Sequence, residues 1–226
     1  MKSRLTGFSL LVLLLTLAAV PAKAADIQLL YSNGPVDGYT DAWTINFGYE
    51  VSNSFAVGSS ATVTSFSFSN WVYPGDIPLT VDWSITSNEF GGTTYGSGTS
   101  PLINAFQFNN GFPNGGYDIY ISTVTNISVP LAAGTGYWLN LQNAVTAQGN
   151  PMFWDENSGV GCTGTGGGAN CPALASESAV GTIPSEDPDF FGYTSGGGGQ
   201  TPEPGSILLF GSGMVALAGV LRRRLC

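Results

Sequence analysis

The sequence predicts an all-β fold, an antiparallel β-sandwich of the jelly-roll or fibronectin-like kind, and three observations carry that prediction. No stretch of the central region keeps an apolar period of 3.6 residues, so amphipathic helices are not expected there. Several stretches alternate apolar and polar residues, which is the period of a strand with one face in a core. Turn signals rich in Gly, Asn and Pro separate these stretches at short intervals.

In chain order, Trp43, Ile45 and Phe47 alternate with Thr44 and Asn46. Phe66 and Phe68 alternate with Ser65, Ser67 and Ser69. Leu79, Val81, Trp83 and Ile85 alternate with Thr80, Asp82, Ser84 and Thr86. Tyr117, Ile119 and Ile121 follow, alternating with Asp118 and Tyr120. Ile127, Val129 and Leu131 continue the period, and Tyr137, Leu139 and Leu141 close it. The first-named residue of each pair is expected in the core and the second in water. Asn33-Gly34-Pro35, Pro74-Gly75, Gly91-Gly92, Asn109-Asn110-Gly111 and Asn114-Gly115-Gly116 are the expected turns. Pro lacks an N–H for a ladder, so Pro101 and Pro130 should mark strand edges.

Charge divides the chain more sharply than hydropathy does. It has 6 Lys and Arg and no His. Lys2, Arg4 and Lys23 stand at one end and Arg222, Arg223 and Arg224 at the other, so no basic side chain lies between Ala24 and Arg222. All 15 acidic residues lie beyond residue 24, and 14 of them precede the tail residue Glu203. Such a body is a poor match for nucleic acid, whose phosphates need Lys or Arg to release counterions. It also lacks the residues of Ser-His-Asp and Cys-His catalysis and the amine of a Schiff base.

The N-terminal end has a basic start, an apolar run from Leu5 to Val20 and the small residues Ala22 and Ala24. Those are the parts of a secretory signal peptide over residues 1–24, a helix handed to the Sec translocon and cut by signal peptidase after Ala24. The predicted β-sandwich body then covers 25–194, and Ser195 to Thr201 is a Gly-rich linker. Pro202, Glu203 and Pro204 follow, and Ser206 to Leu221 carries no charge. At about 1.5 Å per residue that apolar stretch makes a helix of ~24 Å, a thin transmembrane span. The three Arg after it should stay cytoplasmic, placing the body on the outer side of the membrane.

Pro202-Glu203-Pro204, a short apolar span and the Arg222–Arg224 cluster, in that order, resemble the PEP-CTERM sorting signal of Gram-negative bacteria. The resemblance covers residues 202–226. It implies recognition and removal of the tail by an exosortase-type membrane protease. It further implies transient anchoring in the inner membrane, then delivery to the cell surface or extracellular matrix, often beside exopolysaccharide.

Within the body, Cys162 and Cys171 bracket a Gly-rich loop, and in an exported protein this spacing predicts a disulfide. Closing such a loop would contribute roughly 2–3 kcal/mol. The acids offer two further readings. Asp82, Glu89, Asp155 and Glu156 adjoin aromatic residues, and a pair of carboxylates at the right separation hydrolyses glycosides. That makes a secreted carboxylate-dependent glycosidase the alternative to a structural or carbohydrate-binding role. The runs Asp155-Glu156-Asn157 and Glu186-Asp187-Pro188-Asp189 also supply oxygens of the kind calcium takes, without the EF-hand spacing, and Asp155, Glu156, Asp187 and Asp189 are the candidate ligands among them. A structural calcium is therefore the one cofactor to consider. Trp138 shares the polar parity of its strand with Asn140 and Gln142, which makes it the candidate sugar platform. Solvated acids and an aromatic packed beneath a loop are the ordinary alternatives at these positions.

Overall fold

A computed structural model describes residues 26–36, 38–111, 115–134, 136–157 and 173–194. The signal segment, Cys162, Cys171, the linker and the C-terminal tail lie outside the described residues. Those described contain no helix. They form β1 (Gln28–Ser32), β2 (Ala42–Thr44), β3 (Glu50–Ala56), β4 (Ala61–Val72), β5 (Pro78–Asn88), β6 (Gly91–Pro101) and β7 (Ile103–Asn109), and then β8 (Asp118–Val124), β9 (Val129–Leu131), β10 (Gly136–Thr146), β11 (Met152–Asp155), β12 (Ala175–Glu177), β13 (Gly181–Ile183) and β14 (Asp189–Thr194).

All pairing is antiparallel. One sheet runs β1-β14-β4-β11-β2, with β8 and β9 also on β4 and β7 on β8, eight strands together. The other runs β13-β12-β3-β10-β5-β6. The sheets pack face to face through aromatic side chains. Phe55 of β3 stacks on Phe190 of β14 at 3.9 Å, and Phe66 of β4 meets Trp83 of β5 edge-on at 5.8 Å. Tyr31, Tyr137, Leu139, Leu141, Val81 and Ile85 complete this core, all nearly or fully buried. Each such side chain contributes roughly 1.5–3 kcal/mol by leaving water, which is the main force holding the sheets together.

Pro74-Gly75 falls on a turn, whereas the β5–β6 hairpin turns at Glu89 and Phe90, just ahead of the expected Gly91-Gly92. Gly75 and Gly92 take φ of 81° and 82°, a conformation that L side chains rarely adopt. Pro101 ends the edge strand β6, and Pro130 sits in the three-residue edge strand β9.

Several expected core positions differ. Phe47 is 64% exposed because β2 stops at Thr44 and the chain turns at Phe47 with φ 55°. Leu79 is 43% exposed, next to the bulge that shifts β5 against β10 between Gln142 and Val145. In β8 the parity is reversed. Its register sets Val124, Ser122 and Tyr120 opposite Phe66, Phe68 and Asn70, so these share the inner face. Ile119 is buried on the other side, opposite Trp71, where Gly38 packs close to Ile119 and Phe108. The segment around Gly38 thus covers part of the outer face, and Tyr39 stacks on Phe108 at 5.3 Å. On the inner face Asn70 Nδ2 donates to Ser122 (2.7 Å), which donates to Asn104 (2.7 Å), while the Asn70 Oδ1 is buried without a partner.

A buried carboxylate cluster held by indoles

Where β11 leaves its sheet, acidic residues from distant parts of the chain come together. Asp155 ends β11, and Glu156 forms an isolated antiparallel bridge with Glu186, just before β14. Glu156 N–H donates to the Asp41 carbonyl at 2.9 Å, and Asn157 N–H to the Ser185 carbonyl at 2.7 Å. The Glu186 backbone is tied on both sides. Its N–H donates to Asn53 Oδ1 of β3 (2.9 Å), and its carbonyl accepts from Asn33 Nδ2. Asn33 in turn accepts from the Tyr31 hydroxyl at 2.8 Å. The cluster therefore joins the ends of both sheets.

A body without Lys, Arg or His has no side-chain cation to pair with these acids, and indole N–H groups take that place. Trp71 Nε1 donates to Asp155 Oδ1, and Gly38 N–H to Asp155 Oδ2 at 3.3 Å. Trp154 Nε1 donates to Asp187 Oδ1 at 3.2 Å, which also accepts Ser69 N–H at 3.1 Å. Trp43 Nε1 donates to Glu156 Oε2 at 3.3 Å. Indole is a donor only, with an apolar body, so it both fills a core and satisfies a carboxylate.

Glu186 stands apart from this arrangement. It is fully buried, and neither of its carboxylate oxygens has a hydrogen-bond partner. Burial, and then the charges of Asp187, Asp155, Glu156 and Asp41, hold its pKa well above the usual carboxylate value. Burial and the Asp155 charge push Asp187 the same way, against the opposing hydrogen bonds of Ser69. Burial also raises Asp189, with a Ser32 hydrogen bond opposing. Tyr31 is pushed up to about 12 by burial and by Asp189.

Of the four candidate calcium ligands, Asp155, Glu156 and Asp187 belong to the cluster. Asp189 begins β14 and lines a separate cleft of about 170 Å³ with Asp187, Ser67, Gly34 and Pro35. Among the described residues, no three His, Cys, Asp or Glu side chains already converge as a metal-binding group. Asp82 and Glu89 lie elsewhere, Asp82 in β5 of the second sheet and Glu89 in the turn that joins β5 to β6. Asp82 accepts from Thr99 and from Asn143 (2.9 Å), and Glu89 accepts from Ser176 (2.7 Å).

The predicted sugar platform lies on the outer face of that second sheet, along β10. Trp138 and Gln142 are half-buried, but Asn140 is buried and its amide is engaged by the protein. Its oxygen accepts from Ser52 and from Phe90 N–H (3.0 Å), while its nitrogen donates to Ser84 (3.0 Å) and Thr86 (2.8 Å). A different aromatic surface adjoins the carboxylate cluster. Tyr73 stacks on Tyr117 at 5.5 Å, and Tyr117 also packs against Trp71 (5.5 Å) and Phe153 (5.7 Å). Asp41, Ala42, Trp71, Tyr117 and Phe153 line a cleft there of about 270 Å³. Asn53 and this cleft were not legible in the sequence, and Glu186 was visible only as part of an oxygen-rich run, because register and loop packing bring them together across long separations.

An all-β body of two antiparallel sheets, with no cationic side chain between its ends, defines the class of the molecule. Residues 200–224 match the family model of the PEP-CTERM protein-sorting motif, so this is a chain that carries that sorting signal at its C-terminal end. The motif marks an exported, surface-sorted protein and is associated with exosortase processing. A comparison with curated proteins gave no match.

Proposed function

We propose that this chain is exported through the Sec translocon, trimmed by signal peptidase, and held briefly in the inner membrane by its tail. An exosortase-type protease then releases the body to the cell surface or matrix. There it acts as a structural or carbohydrate-binding module rather than an enzyme. The sorting motif over residues 200–224 is the observation that carries the reading. The carbohydrate part rests on the cleft beside Tyr73 and Tyr117. Stacked rings with a nearby carboxylate, Asp41, match a sugar's apolar face and its hydroxyls. Exopolysaccharide is the partner of that chemistry. The cleft is favoured over Trp138 because the neighbouring Asn140 amide is already consumed within the protein.

The glycosidase alternative needs two carboxylates facing an open cleft. Asp155 is buried and held at both oxygens, which weighs against it as an acid or nucleophile. The test uses the full chain in its native host. Replacing Glu203, or all three of Arg222, Arg223 and Arg224, should leave uncleaved precursor in the inner membrane. Extracellular protein with an intact Arg222-to-Cys226 end overturns the sorting reading. On a glycan array, Tyr117→Ala should lose whatever glycan the wild type retains. Cleavage of any array glycan by the wild type would establish the enzyme instead.

A further inference from the structure

The carboxylate cluster poses a problem that protonation solves only in part. Adding a proton to Glu186 removes its charge, but the neutral carboxyl still has a donor and an acceptor with no partner. Leaving a buried polar group unsatisfied costs roughly 1–3 kcal/mol, and more if it is charged. Asp155 and Asp187 avoid that cost through Trp71, Gly38, Trp154 and Ser69. Glu186 has no such donor on either oxygen. No basic side chain exists anywhere in the body to supply one.

We propose that Glu186 is the anchoring ligand of a divalent-cation site, with calcium as its ion, set between the Glu156–Glu186 bridge and Asp155. Two observations meet there independently. The backbone brings Asp155 and Glu156 against Glu186 and Asp187, with Asp41 one hydrogen bond away. Separately, both Glu186 oxygens are fully buried and unpartnered. The donor set is entirely oxygen, which selects a hard cation, and calcium accepts six to eight such ligands with loose geometry. Glu186 supplies both of its oxygens, and neighbouring carboxylate oxygens and water complete the shell. Because, among the described residues, no three His, Cys, Asp or Glu side chains already converge as a metal-binding group, binding is expected to tighten the cluster rather than to fill a rigid cage. Magnesium, which demands near-ideal octahedral ligands at short distance, fits such a set less well. The ion would tie β11, the segment before β14 and, through Asn53, the second sheet. This inference stands apart from the carbohydrate reading, and either can fail alone.

The three indoles provide the probe. Terbium occupies calcium sites and emits when a nearby Trp is excited, and Trp43, Trp71 and Trp154 each donate directly to a carboxylate of the cluster. The full chain in detergent is stripped with EDTA, titrated with terbium, and then back-titrated with calcium or magnesium. Sensitised emission should appear and be displaced by calcium with a Kd on the order of 10⁻⁴ M, as in extracellular calcium modules. Magnesium should displace it poorly. Glu186→Gln, nearly the same shape, should weaken binding by at least about 10- to 100-fold, since even an outer-shell partner carries that much. Asp82→Asn, in β5 of the other sheet, should leave it unchanged. If Glu186→Gln fails to fold, the wild type alone decides through its melting temperature. Calcium must raise it beyond magnesium and NaCl at equal ionic strength. Absent emission, emission untouched by Glu186→Gln in a folded variant, or equal effects of all three salts would overturn the site.

Discussion

In EDTA, moving the protein from about pH 7.5 to about pH 5.5 should raise its stability, the reverse of ordinary acid sensitivity. The groups responsible are Glu186 and Asp187. Burial and neighbouring carboxylates hold both well above their ordinary values of 4.5 and 3.8 in the folded state. The unfolded chain titrates them near those ordinary values. Between the unfolded and folded pKa the native state holds protons that the unfolded state has lost, so stability falls as pH rises through that window. Below the unfolded pKa the penalty is absent. Each proton held differentially is worth ~1.4 kcal/mol per pH unit. The two acids are neighbours and titrate as a pair, so the slope should not exceed ~2.8 kcal/mol per unit. At about 2–4 °C per kcal/mol for a domain of this size, that is several degrees in Tm per pH unit. Asp76 works in the opposite sense but outside this window. Burial pushes it up, yet hydrogen bonds from Thr146, Gln148, Ile77 and Asn150 outweigh that and lower it, so its contribution is lost only in stronger acid. The assay is urea denaturation at fixed ionic strength across the pH range, with Glu186→Gln beside the wild type. The variant should flatten the slope. A wild-type stability that is level, or that increases with pH, would refute the assignment of these acids as buried and unfavourably charged.

Two further substitutions test the packing directly. Trp71→Phe keeps an aromatic ring but deletes an indole donor of Asp155, and should cost about 1–3 kcal/mol in urea midpoints; a change below about 0.5 kcal/mol would show that the indole is not holding the acid. Gly192→Ala would place a Cβ 2.0 Å from the Thr62 carbonyl oxygen and 2.9 Å from Leu30. It should destabilise by about 3 kcal/mol or more, whereas Gly58→Ala, with nothing within 4 Å, should behave like the wild type.

What the sequence could reveal was set by period and composition. Strands such as β4, β5 and β10 keep one face in the core over many residues, and alternation identifies them. Phe47 was misplaced because alternation continues across a turn that only backbone geometry reveals. Ile119 was assigned to the wrong face because a covering segment around Gly38 buries the outer side as well, and two-sided burial defeats a period-two argument. The acids near Trp154 and at residues 186–189 were visible as oxygen-rich runs. Their meeting was not, since it depends on the Glu156–Glu186 bridge. The use of Trp as the donor for carboxylates follows from a composition without cations, yet which indole meets which acid is a matter of register. Trp138 was singled out from the polar parity of its strand, but the amide of its neighbour Asn140 is engaged by cross-strand hydroxyls, which no parity argument reveals.

The place of β14 in its sheet has a consequence for how the chain matures. β14, the last of the described strands, is not an edge. It is inserted between β1 and β4, pairing Gln28 with Gly192 and Phe66 with Phe190. Phe190 in turn stacks on Phe55 across the core. A chain threaded from its N-terminus cannot close its central sheet until residue 194 has emerged, so the native topology is inaccessible to every shorter nascent length. Such long-range pairing is slow and leaves strand edges open meanwhile. Folding of the body is thereby deferred until its final strand is available, and a chain truncated before Asp189 would lack an interior strand and fail to close.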